Sequence, residues 1–258
     1  MKKAKAEGKK VRGAGARHSW SRCFPEDDQF LVSLYPAEIA SEKCTTGDLV
    51  NYAKSLAGTP RENNRHSLCS IIKEPFTYEG KTLARIGAGV SNEQMRAWCI
   101  ANGLQYKASI LIVEPSFVGC MSTNSHGSGI TTQPVPDIVY GVEFINCEGE
   151  VQVIDKDDYH HNAKGLVQAA ASSLGLIGII TFITVELEPL KFAHLIPSIK
   201  SPELLIPKPD VTTGPLFERF KKAVHDSYSN WLYFPVEGKN VYENNFEAVS
   251  EIPPGQKL

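Results

Sequence analysis

The chain has no C-x-x-C pair, no G-x-S-x-G turn and no basic block after its first ten residues. Without paired cysteines at ligand spacing, a structural zinc module is excluded. Without the strained serine turn, an α/β-hydrolase is excluded. Lys and Arg number 27 against 29 Asp and Glu, for a net charge of −2. That balance leaves no concentrated cationic surface, so nucleic acid is excluded as the main partner. Six cysteines (Cys23, Cys44, Cys69, Cys99, Cys120, Cys147) are too few in 258 residues for a disulfide framework. With no secretory signal ahead of them they read as free thiols in a reducing, cytoplasmic setting. The longest apolar stretch, 169–185, carries Ser, Thr and Gly and is shorter than the roughly 20 residues a membrane span needs. It reads as the end of a helix followed by a buried strand, and membrane association is not indicated. The run Asp157-Asp158-Tyr159-His160-His161 reads as a polar helix entrance, so no metal site is assigned. His66, His194 and His225 read as surface or satisfied loop histidines.

What is present is an ordinary globular composition, 42% apolar and 22% charged, laid out as short strands and helices. Met1 to Glu7 reads as a helix stopped by Gly8, with a short strand after it and another over Phe30 to Leu34. Two hairpins are predicted, Ile71–Thr77 with Thr82–Ile86 and Ile138–Ile145 with Glu150–Ile154. The clearest helix begins at Ser91, with Gln94 in capping-box position and Gly103 as its stop. Within it Met95, Trp98 and Cys99 form the apolar stripe. Residues 115–136 are rich in Gly, Ser, Thr, Asn and Pro and read as a long loop unless something orders them. A helix over Ala163–Ser173 leads to a β-branched strand, Ile177–Leu187. Beyond Pro189 prolines become frequent, with a helix over Leu216–His225 and strands at 231–234 and 241–246. A domain boundary is placed there, giving 1–189 and 190–258.

Three small-residue loops carry the candidate chemistry. Gly13-Ala14-Gly15 starts like the dinucleotide fingerprint, but His18 stands where its third glycine belongs. Gly87-Ala88-Gly89 lies between strand and helix, but Asn92 takes that place. Read alone, each is equally a tight turn. The third loop, SFVGCMSTNSHGSG from Ser116, offers hydroxyls and unhindered backbone N–H groups. These are the donors a diphosphate or a ring carbonyl would use. Alone, it is equally a solvated loop.

The order of the pieces is more specific than any one of them: G-x-G-x-R-H-S-W-S, then Gly-Ala-Gly before a helix, then S-T-x-S-H-G-S-G, then LGLIGIITFITVELEP. Together they resemble the vanillyl-alcohol oxidase superfamily, most of all its sugar-lactone oxidases (gulonolactone and arabinonolactone type) and its alditol oxidases. The resemblance implies an α+β fold, a PCMH-type FAD-binding domain of two α+β subdomains followed by the start of a cap domain. It implies that Gly13, Ala14, Gly15, Ala16, Arg17, His18 and Ser19 wrap FAD, with His18 the residue that in many members bonds covalently to the flavin. Ser116, Gly119, Ser122, Thr123, His126, Gly127 and Gly129 match cofactor-lining positions, and Gly178, Ile179 and Ile180 match the segment that holds the adenosine end. For the last three, simple strand core is the competing reading. Arg17, in place of a glycine common in lactone oxidases, looks more like the alditol oxidases.

The implied reaction is oxidation of a sugar lactone, or alternatively of a polyol, with O2 as acceptor and H2O2 as product. The rest of the family's cap and C-terminal segment, and its first strand, are not found in the sequence. The chain therefore also reads as a fragment, or as a flavin-binding remnant without turnover. No catalytic residue is assigned.

Overall fold

The computed structural model describes residues 1–19, 23, 25, 27–35, 65–108, 110–127, 133–157, 163–225, 229–233, 241–249 and 251–252. Gly129, Cys44 and the histidines at 160 and 161 lie outside these. The chain forms two compact units, one of Met1–His126 with Gln133–Pro189, the other of Gly127–Thr132 with Leu190–Leu258.

The first unit opens with helix α1 (Lys2–Ala6) and strand β1 (Val11–Ala14), which pairs in parallel with β2 (Phe30–Ser33). Next come β3 (Ile71–Tyr78), β4 (Lys81–Gly87), helix α2 (Asn92–Ala101), β5 (Leu104–Gln105) and helix α3 (Phe117–Ser122). A 3-10 turn (Val135–Ile138) leads to β6 (Val139–Ile145), β7 (Val151–Asp155), helix α4 (Ala163–Ala171) and β8 (Ile179–Pro189). The main sheet runs β3-β4-β8-β6-β7, with β5 also paired to β8, and every pairing in it is antiparallel. The fold is α+β.

Strand β8 is central because its sequence suits burial on both sides. Ile183, Val185 and Leu187 face the same way as Ala84 and Ile86 of β4 and join the core with Met95 and Cys99 of α2 and Val167, Ala170 and Ala171 of α4. Side chains alternate across a strand, so Phe182, Thr184 and Glu186 point to the other face. That face is polar but paired. The Arg85 guanidinium lies 3.4 Å from the Phe182 ring centroid and donates to Glu143 at 2.9 Å. Glu186 accepts from Lys156 at 2.5 Å and also from Lys81. Helix α2 carries the capping box read from the sequence: Ser91 Oγ accepts from Gln94 N–H, and the Gln94 side chain accepts from Ser91 N–H at 2.9 Å.

The second unit holds β9 (Phe192–Lys200), a 3-10 turn (Pro202–Leu204), helix α5 (Pro215–His225), β10 (Ser229–Tyr233) and β11 (Val241–Val249). Its sheet is antiparallel in the order β10-β11-β9, and Leu205 is buried in the unit.

Two differences from the sequence reading have physical causes. The stretch read as a loop from residue 115 contains α3, a helix of poor intrinsic propensity held by burial of Phe117 and Met121. Strand β9 was not foreseen, because Pro197 interrupts its pattern. Pro197 faces Asn244 of β11, in a strand at the edge of its sheet, where proline is tolerated. Among the described residues no helix is long and apolar enough to cross a membrane.

Two stability predictions follow from these contacts. Burial pushes the Glu186 carboxyl up, but the hydrogen bonds from Lys156 and Lys81 outweigh it and hold it below the usual glutamate value. A carboxyl depressed in the folded state stabilises above its unfolded value, about 4.3, and loses that contribution as pH falls through the folded one. Glu186→Gln leaves the buried Lys156 without its partner, so urea unfolding at neutral pH should show a loss of about 3 kcal/mol. The gap between wild type and variant should close as pH falls below about 4.3. Gly178 has φ +145° and the carbonyl oxygen of Ile145 only 2.1 Å from where a Cβ would stand. Gly178→Ala should therefore cost roughly 3 kcal/mol, read as a lower melting temperature.

Candidate cofactor site

Strand β1 ends in the loop that carries His18, and helix α3 starts at Ser116. The two meet at one atom. The Ser116 Oγ accepts from the Gly119 N–H at 3.1 Å, which caps α3. A Cβ on Gly15 would stand 2.3 Å from that same Oγ, and one on Gly119 2.7 Å from it. Only glycines let the three backbones come this close. Ser116 is fixed from behind by a β-bridge to Ser91, by Phe117 N–H donating to Val90 O at 2.9 Å, and by Asn92 N–H donating to Pro115 O at 2.9 Å.

Beyond this contact lies a cleft of about 300 Å³. Gly13, Ala14, Gly15, Ala16, Arg17, His18 and Ser19 line it together with Ser116, Gly119, Ser122, Thr123, Gly178, Ile179 and Ile180. Three loops far apart in sequence thus share one cavity. His126 is exposed and is not among the lining residues. Gly127 belongs to the second unit.

Sequence reasoning missed part of the wall: Arg12, Leu34, Ile110, Ile112 and Leu174 line it too. Ile110 and Ile112 are placed by Asn92, whose buried amide donates to their carbonyls at 3.0 and 2.7 Å and accepts from the Tyr106 hydroxyl at 2.8 Å. The signal was Asn92 itself, where a polar residue occupies the first position of a helix beside an apolar face. Gly87 and Gly89 do not line the cleft. Their missing side chains admit the backbone carbonyl of Leu68, which accepts from Gly89 N–H at 2.8 Å, so this turn is structural.

The chemistry of the wall suits a large anion carrying a flat apolar ring. Among the described lining residues there is no Asp or Glu, while Arg12 and Arg17 both contribute. The backbone N–H groups of Ala16, Arg17, His18 and Ser19 donate to no other described residue, leaving a row of donors of the kind that cradles phosphate. The Nε of Arg17 is buried and has no partner among the described residues. The hydroxyls of Ser122 and Thr123 are used otherwise than the sequence suggested, because they donate to the helix carbonyls of Val118 and Gly119 at 2.9 and 3.1 Å. Burial pushes the Cys120 thiol up to about 11, so it stands in the wall as an inert apolar group. FAD, with its diphosphate and its fused ring, fits this donor set.

Comparison with known proteins agrees. An FAD binding domain family model matches residues 76–155, which run from β3 through β7 and include the Ser116 side of the cleft. An alditol oxidase from Streptomyces sp. is 30% identical over 105 residues, 41% of this chain and 24% of that protein. The cholesterol oxidase of B. sterolicum shares the fold, with a TM-score of 0.64 at 14% identity over 97% of this chain and 42% of that one. A solvent-stable cholesterol oxidase does so with a TM-score of 0.67 at 13% identity, over 97% and 43%. The chain thus spans about a quarter of the curated relative and under half of the solved structures. An FAD binding domain matched over residues 76–155 and a relative among the alditol oxidases together support FAD as the cofactor this chain binds.

Proposed function

We propose that the chain is the cofactor-holding part of an FAD-dependent oxidase that converts a hydroxyl-bearing carbon of a polyol to a carbonyl, with O2 as acceptor. Bound FAD would supply the hydride acceptor and the route of electrons to O2, giving H2O2. The observation that carries the reading is the convergence of residues 13–19 with Ser116–Thr123 in one cleft whose described lining holds two arginines and no carboxylate. The loop from Gly15 to Ser19 holds the diphosphate through its unused N–H groups. The apolar wall of Ile110, Ile112 and Val118 excludes water from the ring. His18, in the same loop, is the residue that carries the cofactor covalently.

A polyol is favoured over a sugar lactone by the Arg17-His18-Ser19 sequence, which resembles the alditol oxidases, and by the alditol oxidase match. The lactone stays as the competing substrate, and a flavin-binding module without turnover as the competing function.

Acid precipitation of the purified chain should leave flavin bound to the wild-type pellet. His18→Ala should release all of it while still binding FAD before acid treatment. Peroxide formation should be faster with xylitol than with gulonolactone. The reverse order would return the assignment to the lactone oxidases. Retained flavin without peroxide from either would support the module. A chain that takes up no flavin under any condition would end the reading.

A further inference from the structure

We propose that Arg17 is the residue that sets cofactor affinity, its guanidinium pairing with the diphosphate of FAD at the cost of a strained backbone. This rests on the FAD reading of the cleft and adds a role for one side chain.

Three observations converge on this residue. First, Arg17 has φ +53°, the left-handed region that glycine occupies freely and a side chain does not. The other non-glycine residues with positive φ among those described are Glu79, Asn124 and Leu174. Glu79 sits in a hairpin turn, and Asn124 and Leu174 in the turns that end helices, so local geometry accounts for them. Arg17 ends no helix and closes no hairpin. A glycine would serve its backbone better, so the arginine is there for its side chain.

Second, the guanidinium is idle. Arg12 donates to Leu174 O, Arg65 pairs with Glu74, Arg85 with Glu143 and Arg96 with Glu93, and Arg219 donates to Leu204 O. Arg17 alone among the described arginines makes no hydrogen bond or ion pair, and its Nε is buried with no acceptor. A buried donor left unpaired is costly, and an anion that drew the guanidinium round into the cleft would remove that cost.

Third, the surroundings leave that anion to a ligand. No carboxylate is among the described residues lining the cleft, so none of these competes for the guanidinium. The unused N–H groups of residues 16–19 lie on the same loop. A planar fork of donors beside a row of backbone N–H groups matches a diphosphate, whose oxygens accept bidentate pairs. Strain kept at a ligand site, where local geometry does not require it, is the expected mark of such a role.

The test uses flavin-free full chain from a riboflavin-starved host, with FAD, ADP and riboflavin as probes in titration calorimetry. Arg17→Met keeps a side chain at this φ but removes the fork, and Arg17→Gly removes both fork and strain. Both should weaken ADP and FAD by about 10- to 100-fold and leave riboflavin unchanged. The melting temperature of flavin-free Arg17→Gly should be no lower than that of wild type, since relief at φ offsets the added freedom of the unfolded chain. Unchanged ADP affinity in both variants would overturn the role of Arg17 while leaving the FAD site standing. Equal loss of ADP and riboflavin would also overturn it, by showing a merely structural residue. A wild-type chain that binds neither ADP nor FAD would overturn the cofactor site as well.

Discussion

A single hydroxyl, Ser116 Oγ, sits between two glycines that have no room for a side chain. Gly15 presses against it from the His18 loop, and Gly119 donates its N–H to it from the first turn of α3. Everything about the cleft depends on this contact. It brings a loop near the start of the chain against a helix a hundred residues later, and the cavity is the space left where the two then part. A methyl group at residue 15 would push the His18 loop away by more than the tolerance of a close-packed interior.

The contact is only as rigid as what stands behind it. Ser116 is bridged to Ser91, and Ser91 is the cap of α2, whose Met95 and Cys99 are buried in the core over β8. Asn92, one residue on, spends its amide on the carbonyls of Ile110 and Ile112 and so sets the apolar wall. A buried amide with each of these bonds made is stable, and it specifies one arrangement because every alternative leaves a polar atom unpaired. The same residues therefore cap a helix, bridge it to Ser116 and shape the cleft.

Local signals were legible in the sequence wherever the cause was local. The Ser91–Gln94 capping box, the stop at Gly103 and both hairpins follow from side chains within a few residues of each other, and all are found. Helix α3 was not legible, because Gly119, Ser122 and Thr123 disfavour a helix and only the burial of Phe117 and Met121 makes one. Strand β9 was hidden by its own proline, and its partner β11 lies some fifty residues on. In the cleft, the glycine loops could be read through family resemblance, but Ile110 and Ile112 could not. Their run has no helical or strand period, and its place is decided by a side chain eighteen residues earlier in sequence.

Electrostatics separates the cleft from the rest of the surface. On the back of the main sheet, opposite charges are brought together: Lys81 and Lys156 with Glu186, Arg85 with Glu143. Such pairing is what a sheet face does when charge serves stability alone, because an unpaired charge taken out of water is expensive. The cleft follows the opposite rule. Among the described residues its arginines are gathered without a carboxylate, and the N–H groups of residues 16–19 donate to no carbonyl. Donors that a fold leaves without a protein acceptor are open to water or to a ligand, and the buried Nε of Arg17 is the one for which the lack of a partner is costly. On the proposed reading a diphosphate bound there would supply the acceptors, so the groups that set cofactor affinity are ones the fold itself leaves without a described partner.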